Sequence, residues 1–481
     1  MQSIFWHDYE TFGIDTKRDR PSQFAGIRTD LDLNIIDEPI TLYCKPAEDS
    51  LPSPDACLVT GITPQLAQAE GVSEADFTRI IHKAFSQANT CVAGYNSIRF
   101  DDEVSRNLFY RNFYDPYERE WKDGNSRWDI IDVVRLTYAL RPDGIVWPLD
   151  DSGKPSFRLE KLTEANNIEH ASAHDAMSDV YATIGIAKLI KEKQPQLFNY
   201  IFEHRSKRSL LYLFDTKQLK PVLHISSKYP VNFGCSALVV PLFKHPTNTN
   251  GFVVFDLRQN PEDIQKMSVE TIRNRLYTST ANLLDNEIRP ALKTIHINKC
   301  PMVVPASMAK TISPDNLKKW QLDLNNIQKN LEWIRLHPEF LAKIMEVFNT
   351  TYEGDVVNDP DLMIYSGGFF SANDKTVMTQ VREASEVELA ETEFQFQDTR
   401  LTEMLFRYKA RNFPATLTDE EQSIWGQHCA NKLLDDKSSY LTFNRFFARL
   451  NELAQSEKTN PKDQALLQDL RYYAESIIPY S

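Results

Sequence analysis

Three short stretches of the chain carry residue types that can hold a cation and move a proton. The first is His7-Asp8-Tyr9-Glu10-Thr11, with two carboxylates one residue apart. In a strand, residues i and i+2 leave from the same face, so Asp8 and Glu10 would point together. Adjacent carboxylates repel unless a cation holds them. Paired oxygen donors suit Mg2+ or Mn2+, which keep coordination positions open for water and phosphate. The second stretch is Gly94-Tyr95-Asn96-Ser97-Ile98-Arg99-Phe100-Asp101-Asp102, where an apolar strand gives way to a helix. Asp101 then lies at the carboxyl end of that strand, where open α/β sheets gather their ligands. The third is His174-Asp175-Ala176-Met177-Ser178-Asp179. Its imidazole can accept a proton from water near neutral pH, and Asp179 can complete a metal cage. Taken singly, each stretch also fits an ordinary role: a solvated strand end, a helix cap at Asp101 or Asp102, or a surface histidine beside a capping network.

These residues need strands and helices in alternation to meet, and the first ~190 residues supply that pattern. Ser3–His7 reads as a strand and Leu33–Tyr43 contains further strand material. Ser73–Ala88 reads as an amphipathic helix capped by Ser73, with Phe77, Ile80, Ile81, Ala84 and Phe85 on one face. Cys91–Tyr95 reads as a strand, and a helix follows from about Asp102 to Phe113. Ala171–Lys193 reads as a helix with Ser172 and Asp175 as a capping box. From Pro195 to Thr350 the runs Pro221–Ile225, Ala237–Leu242, Gly251–Leu257, Thr294–Ile297 and Met302–Val304 predict a small β-barrel-like domain. Helical insertions are expected near Val269–Tyr277 and Pro314–Leu336. Tyr352–Pro360 reads as an acidic linker, and residues 371–481 as a helical domain.

Composition bounds the remaining classes. A chain of 481 residues predicts two or three domains. The six cysteines are scattered without a CxxC pair, which argues against a zinc site or a disulfide framework. No secretory leader or membrane-length apolar run is visible, so a cytoplasmic protein is expected. The net charge of −13 disfavours loose coating of duplex nucleic acid, yet a confined channel needs only a local positive stripe.

The order D-x-E-T, N-x-x-x-F-D, H-x-x-x-x-D resembles the DEDDh exonucleases, which have a ribonuclease-H-like fold. The resemblance extends to Thr60-Gly61-Ile62-Thr63, matching a loop that those enzymes place beside the terminal nucleotide. HDYETFG, GYNSIRFDDEVSRNLFYRNFYDPY, SRWDIIDVVR, PSFRLEKLTEANNIEHASAHDAMSDVYATI, HINKCP at His296–Pro301, Gly368-Phe369-Phe370 and FRYKARNFP at Phe406–Pro414 narrow it. Together they resemble the bacterial exonuclease I family across nearly the whole chain.

That resemblance implies an α/β architecture in three parts. Residues 1–194 would form a ribonuclease-H-like catalytic domain and 195–350 an SH3-like domain with helical insertions. Residues 351–481 would form an all-α C-terminal domain. It implies processive 3′→5′ digestion of single-stranded DNA to 5′-mononucleotides, serving DNA repair and recombination. Asp8, Glu10, Asp101 and Asp179 would hold two Mg2+ ions, with Mn2+ a substitute, and His174 would act as general base. The resemblance also implies a partner, the acidic C-terminal tail of the single-stranded-DNA-binding protein, for which Arg141 with Tyr200 is the candidate site.

Single strands are gripped by basic residues along the backbone and aromatic faces on the bases. Residues 99–128 offer that mixture, although many of their aromatics belong in a core. Arg106, Tyr117, Trp121, Arg135 and Arg158 are the candidate contacts near the cleft, with Glu10, Thr60 and Gly61 at the terminal nucleotide. Arg205, Lys207, Arg208, Lys299, Phe369, Phe370, Arg407, Tyr408, Lys409 and Arg411 are more distant candidates. No heptad or apolar stripe calls for a dimer, so a monomer without membrane attachment is expected. Two rival readings are a non-catalytic single-strand-binding scaffold and a DEDDh nuclease that trims RNA.

Overall fold

The computed structural model describes residues 2–170, 175–284, 287–349, 357–457 and 459–478. The chain divides into two compact units. The first comprises Met1–Ser126, His170–Ile184 and Asp355–Ser481, and the second Arg127–Glu169 and Gly185–Gly354. Among the described residues no helix is long and apolar enough to cross a membrane.

In the first unit, β1 (Ser3–Thr11) runs antiparallel to β2 (Pro21–Thr29) and parallel to β4 (Thr90–Gly94), with β3 (Ile40–Tyr43) outside β2. All nine residues of β2 are buried, including Ser22, Gln23 and Arg28. A strand covered on both faces shows no polar alternation, which explains why the sequence pattern did not reveal it. Gly26 is required there by close approach, since a Cβ would sit 2.5 Å from Phe5 Cε1. Of the expected strand material in Leu33–Tyr43, only Ile40–Tyr43 is regular strand.

Helix α3 (Glu74–Phe85) is capped by the Ser73 side chain as expected. Together with α4 (Asp101–Arg111) it covers one face of the sheet. Phe77, Ile81 and Phe85 of α3 and Leu108 and Phe109 of α4 pack on Phe5, Tyr9 and Phe24. Burial of each such side chain contributes roughly 1.5–3 kcal/mol. A separate core joins α1 (Pro54–Thr60) and α2 (Pro64–Glu70) to the C-terminal helices Phe443–Ala454 and Pro461–Ser476. Cys57, Ile62 and Ala67 meet Phe446, Leu450, Leu467 and Leu470 there. The helical character expected after residue 371 is present, with capping boxes at Ser385/Glu388 and Thr418/Glu421.

Between the two long first-unit segments the chain passes through β5 (Ser126–Asp129), α5 (Ile130–Leu140) and α6 (Leu159–Ala165). It returns along α7 (Ala176–Lys193). The described part of α7 begins later than the expected Ala171. Asp175 serves as its cap, accepting from the Ser178 amide at 3.1 Å. Ser172 lies outside the described residues.

In the second unit, an antiparallel sheet has the order β10-β6-β7-β8-β9. Its strands are β6 (Val222–Ile225), β7 (Ser236–Lys244), β8 (Gly251–Asp256), β9 (Leu292–His296) and β10 (Met302–Pro305). They match the five β-rich runs of the sequence, and Val222, Val239, Val254, Ile295 and Val303 share one core. Helix Val269–Tyr277 falls where expected, while the Pro314–Leu336 insertion is two helices, Pro314–Lys319 and Leu324–Leu336. Gln321 at φ 57 breaks them apart. A further helix, Pro338–Phe348, follows.

Candidate active site

Strand β1 outruns β4: their parallel pairing ends at Trp6 opposite Ala93. Beyond that point the Tyr9 amide donates to the Asp101 carboxylate at 3.1 Å instead of to a neighbouring strand. The bond places Asp101, in the first turn of α4, directly beside the Asp8–Glu10 stretch. On the other edge of β1, Gln23 stands opposite Glu10, and its side chain accepts from the Ala176 amide at the start of α7 at 3.4 Å. Asp179 therefore enters the same site from the first turn of α7. One carboxylate oxygen from each of Asp8, Glu10 and Asp179 lies within 4.8 Å of the other two.

The electrostatics follow from that crowding. Burial, together with Asp101, Glu10 and Asp179, holds the Asp8 carboxyl well above the usual carboxylate range. Burial and the charges of Asp179, Asp101 and Asp175 push Glu10 up to about 8. Among the described residues no arginine or lysine pairs with Asp8 or Glu10. An all-oxygen donor set with excess negative charge and partial solvent access fits a hard divalent cation. His174 lies outside the described residues, so its placement is not part of this geometry.

The family models decide what this arrangement belongs to. The exonuclease model matches residues 5–187, the exonuclease I SH3-like domain model 205–350, and the exonuclease I C-terminal domain model 358–477. The chain belongs to the exonuclease I family. Exodeoxyribonuclease I of Escherichia coli (strain K12) is 45% identical over 480 residues, covering 99% of both chains. The solved structure of exonuclease I from Methylocaldum szegediense superposes with a TM-score of 0.93 at 48% identity, covering 99% of this chain and 100% of that one. E. coli exonuclease I in complex with a dA16 oligonucleotide gives 0.94 at 43% identity, with the same coverage. This exonuclease I relative thus carries a ribonuclease-H-like exonuclease domain, an SH3-like domain and a C-terminal domain. It is an enzyme of the exonuclease class, and its carboxylate site calls for a divalent cation.

The other sequence-selected residues occupy varied settings. Gly61 ends α1 in the left-handed region at φ 72, where a Cβ would meet nothing within 4 Å. The Thr60 hydroxyl accepts from the Ile62 amide at 3.1 Å, which stiffens this exposed turn. Arg158 is exposed. Arg106 is only 4% exposed, gripped by Glu120 at 2.7 and 3.0 Å and by Glu103 at 2.7 Å. Its guanidinium stands 5.5 Å from the Tyr117 ring centroid. Tyr117 meets Phe369 edge-on at 6.3 Å, and Phe369 is 87% exposed. Phe370 instead stacks on Tyr110 at 5.7 Å, beneath Arg400. Trp121 and Lys207 are exposed. Arg135 is buried against Asp132 at 2.5 Å.

The Arg/aromatic mixture of residues 99–128 proves to be mainly interior. Arg111 and Arg119 are held by Glu74 and Asp102, Arg127 donates to the Asn298 carbonyl, and Phe109, Tyr110, Phe113 and Trp128 are buried. Asp102 is thus a buried ion partner and not a cap. Arg407 and Arg411 likewise leave the roll of free surface cations. Arg407 pairs with Asp359 at 2.6 Å, and Arg411 pairs with Asp361 at 2.6 Å and Asp49 at 2.8 Å. Arg20 and Lys432 complete this buried network on Asp49 and Glu74.

In the second unit, Arg141 and Tyr200 line one cavity of about 390 Å³ together with Gln194, Leu197, Pro305 and Met308. Sequence reasoning missed three residues at these sites. Tyr365 donates to Glu103 at 2.5 Å and joins the Tyr117–Phe369 group. Asp175 adds charge beside Glu10, and His170 contacts Asp179. Adjacency to the Gly-Phe-Phe and His-Asp segments could have flagged the first two. No spacing rule points to His170.

Proposed function

We propose that this enzyme degrades single-stranded DNA processively from the 3′ end, releasing 5′-mononucleotides, in DNA repair and recombination. The observation that carries the reading is the convergence of the Asp8, Glu10 and Asp179 carboxylates, with no lysine or arginine paired to Asp8 or Glu10 among the described residues. The structural likeness to E. coli exonuclease I bound to a dA16 oligonucleotide supports the choice of substrate. In this reading Asp8, Glu10, Asp101 and Asp179 hold two Mg2+ ions, for which Mn2+ can substitute. When bound, the ions stabilise both the attacking and the leaving oxygens of an in-line displacement. His174 takes the proton from the attacking water, and the terminal nucleotide departs with its 5′-phosphate as the 3′-oxygen of its neighbour leaves. Glu10, Thr60, Gly61 and Arg158 hold that nucleotide.

Arg106, Tyr117, Trp121, Arg135, Lys207, Phe369 and Phe370 contact the strand upstream. For Arg106 and Arg135 this requires exchange of a carboxylate partner for phosphate, because both are ion-paired in the free protein. The reading also keeps the domain limits 1–194, 195–350 and 351–481, a cytoplasmic monomer, and capture of the single-stranded-DNA-binding protein's acidic tail at Arg141 and Tyr200. Their shared cavity, with a cation and an apolar wall, suits a peptide ending in a carboxylate.

The test uses 5′-labelled single-stranded DNA, a matched RNA and a blunt duplex, each with Mg2+ or EDTA. Shortening of the single-stranded DNA from its 3′ end, lost in EDTA and in Asp179→Ala, is expected. Substitution of His174 by alanine should slow the chemical step ~10²–10⁴-fold. Tight binding of intact DNA would favour a scaffold, and preferential loss of the RNA would favour an RNA trimmer.

A further inference from the structure

Asp179 is fixed through its backbone: its amide donates to the Asp175 carbonyl at 3.0 Å, and its own carbonyl accepts from the Thr183 hydroxyl at 2.8 Å. These bonds fix the backbone but do not themselves orient the carboxylate, whose terminal torsion has no sharp staggered wells. A metal ligand that turns freely loses entropy on binding, so a second contact is valuable. His170 provides it, with Nε2 standing 2.5 Å from Asp179 Oδ1 and the imidazole side chain only 7% exposed.

The chain reaches His170 along an anchored path. The Asn166 side chain accepts from the Val146 amide at 2.9 Å and donates to its carbonyl at 2.8 Å. Asn167 turns the chain at φ 53, and the Ile168 amide closes on the Thr163 carbonyl at 2.9 Å. His170 therefore follows a defined turn.

We propose that His170 is a positioning residue of the metal site, donating from Nε2 to Asp179 Oδ1 and so presenting Oδ2 toward Asp8 and Glu10. The proposal rests on the reading of Asp179 as a metal ligand. Outer partners of this kind orient ligating groups and raise their affinity for the ion.

The experiment measures Mn2+ affinity by electron paramagnetic resonance, without DNA, for the full-length protein and its variants. His170→Asn shortens the side chain and breaks the bond, and it should weaken Mn2+ binding about 10–100-fold. His170→Gln, which reaches as far and still donates, should recover most of that loss. Thermal unfolding in EDTA should be the same for both. With Mn2+ saturating, kcat should return toward the wild-type value and KM for single-stranded DNA should stay unchanged. Wild-type Mn2+ affinity in His170→Asn, alongside its loss in Asp179→Asn, would overturn the positioning role alone. Wild-type affinity in Asp179→Asn would instead remove the metal reading on which it rests. Should His170→Asn not fold, His170→Phe keeps the ring without the donor and gives the same two outcomes.

Discussion

Asp49, Glu74 and Asp361 form one group of carboxylates in the first unit, fully buried, and the half-buried Asp8, Glu10 and Asp179 form another. In the first group Arg20, Arg111, Arg407, Arg411 and Lys432 surround the anions at 2.6 to 3.5 Å. Despite the opposing effect of burial, these cations hold Asp49 and Asp361 below the usual carboxylate range and Glu74 down at about 2. In the second group burial and neighbouring anions act together, and Glu10 rises to about 8. The same side-chain chemistry is thus neutralised by arginine and lysine at one place, whereas among the described residues neither pairs with Asp8 or Glu10 at the other. Half-buried carboxylates gathered without such cations leave counter-charge to come from solution.

The largest effect that could break this contrast is on turnover. Asp179→Asn should abolish nuclease activity on single-stranded DNA, while its unfolding temperature in EDTA equals or exceeds that of the wild type. A fall in that temperature would mean that the cluster is structural. Conversely, Asp49→Ala should destabilise the fold by about 3–5 kcal/mol in urea titration, because it takes the carboxylate from the buried Lys432 and leaves Arg411 with Asp361 alone. Stability within error of the wild type would show that the network is not what ties the C-terminal helices to α3.

The pH responses of the two groups should also have opposite signs. Glu10 takes up a proton more readily when folded, so its penalty is absent below its unfolded pKa and complete above about 8. Metal-free protein should therefore lose stability as pH rises through that window, and added Mn2+ should restore it. Network carboxylates such as Glu74 contribute stability above their unfolded pKa, and that contribution is lost as pH falls toward about 2. Calorimetry across pH in EDTA separates the two limbs, and a flat neutral limb would count against the unbalanced cluster. The smallest effect is expected for Lys432→Met, about 1–3 kcal/mol, since Asp49 keeps Arg411 and Arg20.

The site was legible in the sequence where local spacing controls geometry. Asp8 and Glu10 share a strand face by the alternation of side chains, and Asp179 sits one turn into a helix whose start the Asp175 cap marks. The five strands of the second sheet were legible because turns punctuate them. β2 was not, because a strand buried on both faces loses its alternation. Nor was the fate of the arginines: Arg99 is exposed, whereas Arg111 and Arg119 are interior. Their partners Glu74 and Asp102 are distant in sequence or placed by folding.

By itself the sequence determined which groups would carry negative charge, which elements would bear them, and which family the chain resembles. Only the tertiary structure decided which carboxylates receive an arginine and which do not. It alone set β1 running past β4, so that Tyr9 binds Asp101, and brought His170 onto Asp179. Propensity and spacing act over a few residues, whereas compensation of a buried charge depends on what packs against it from elsewhere in the chain.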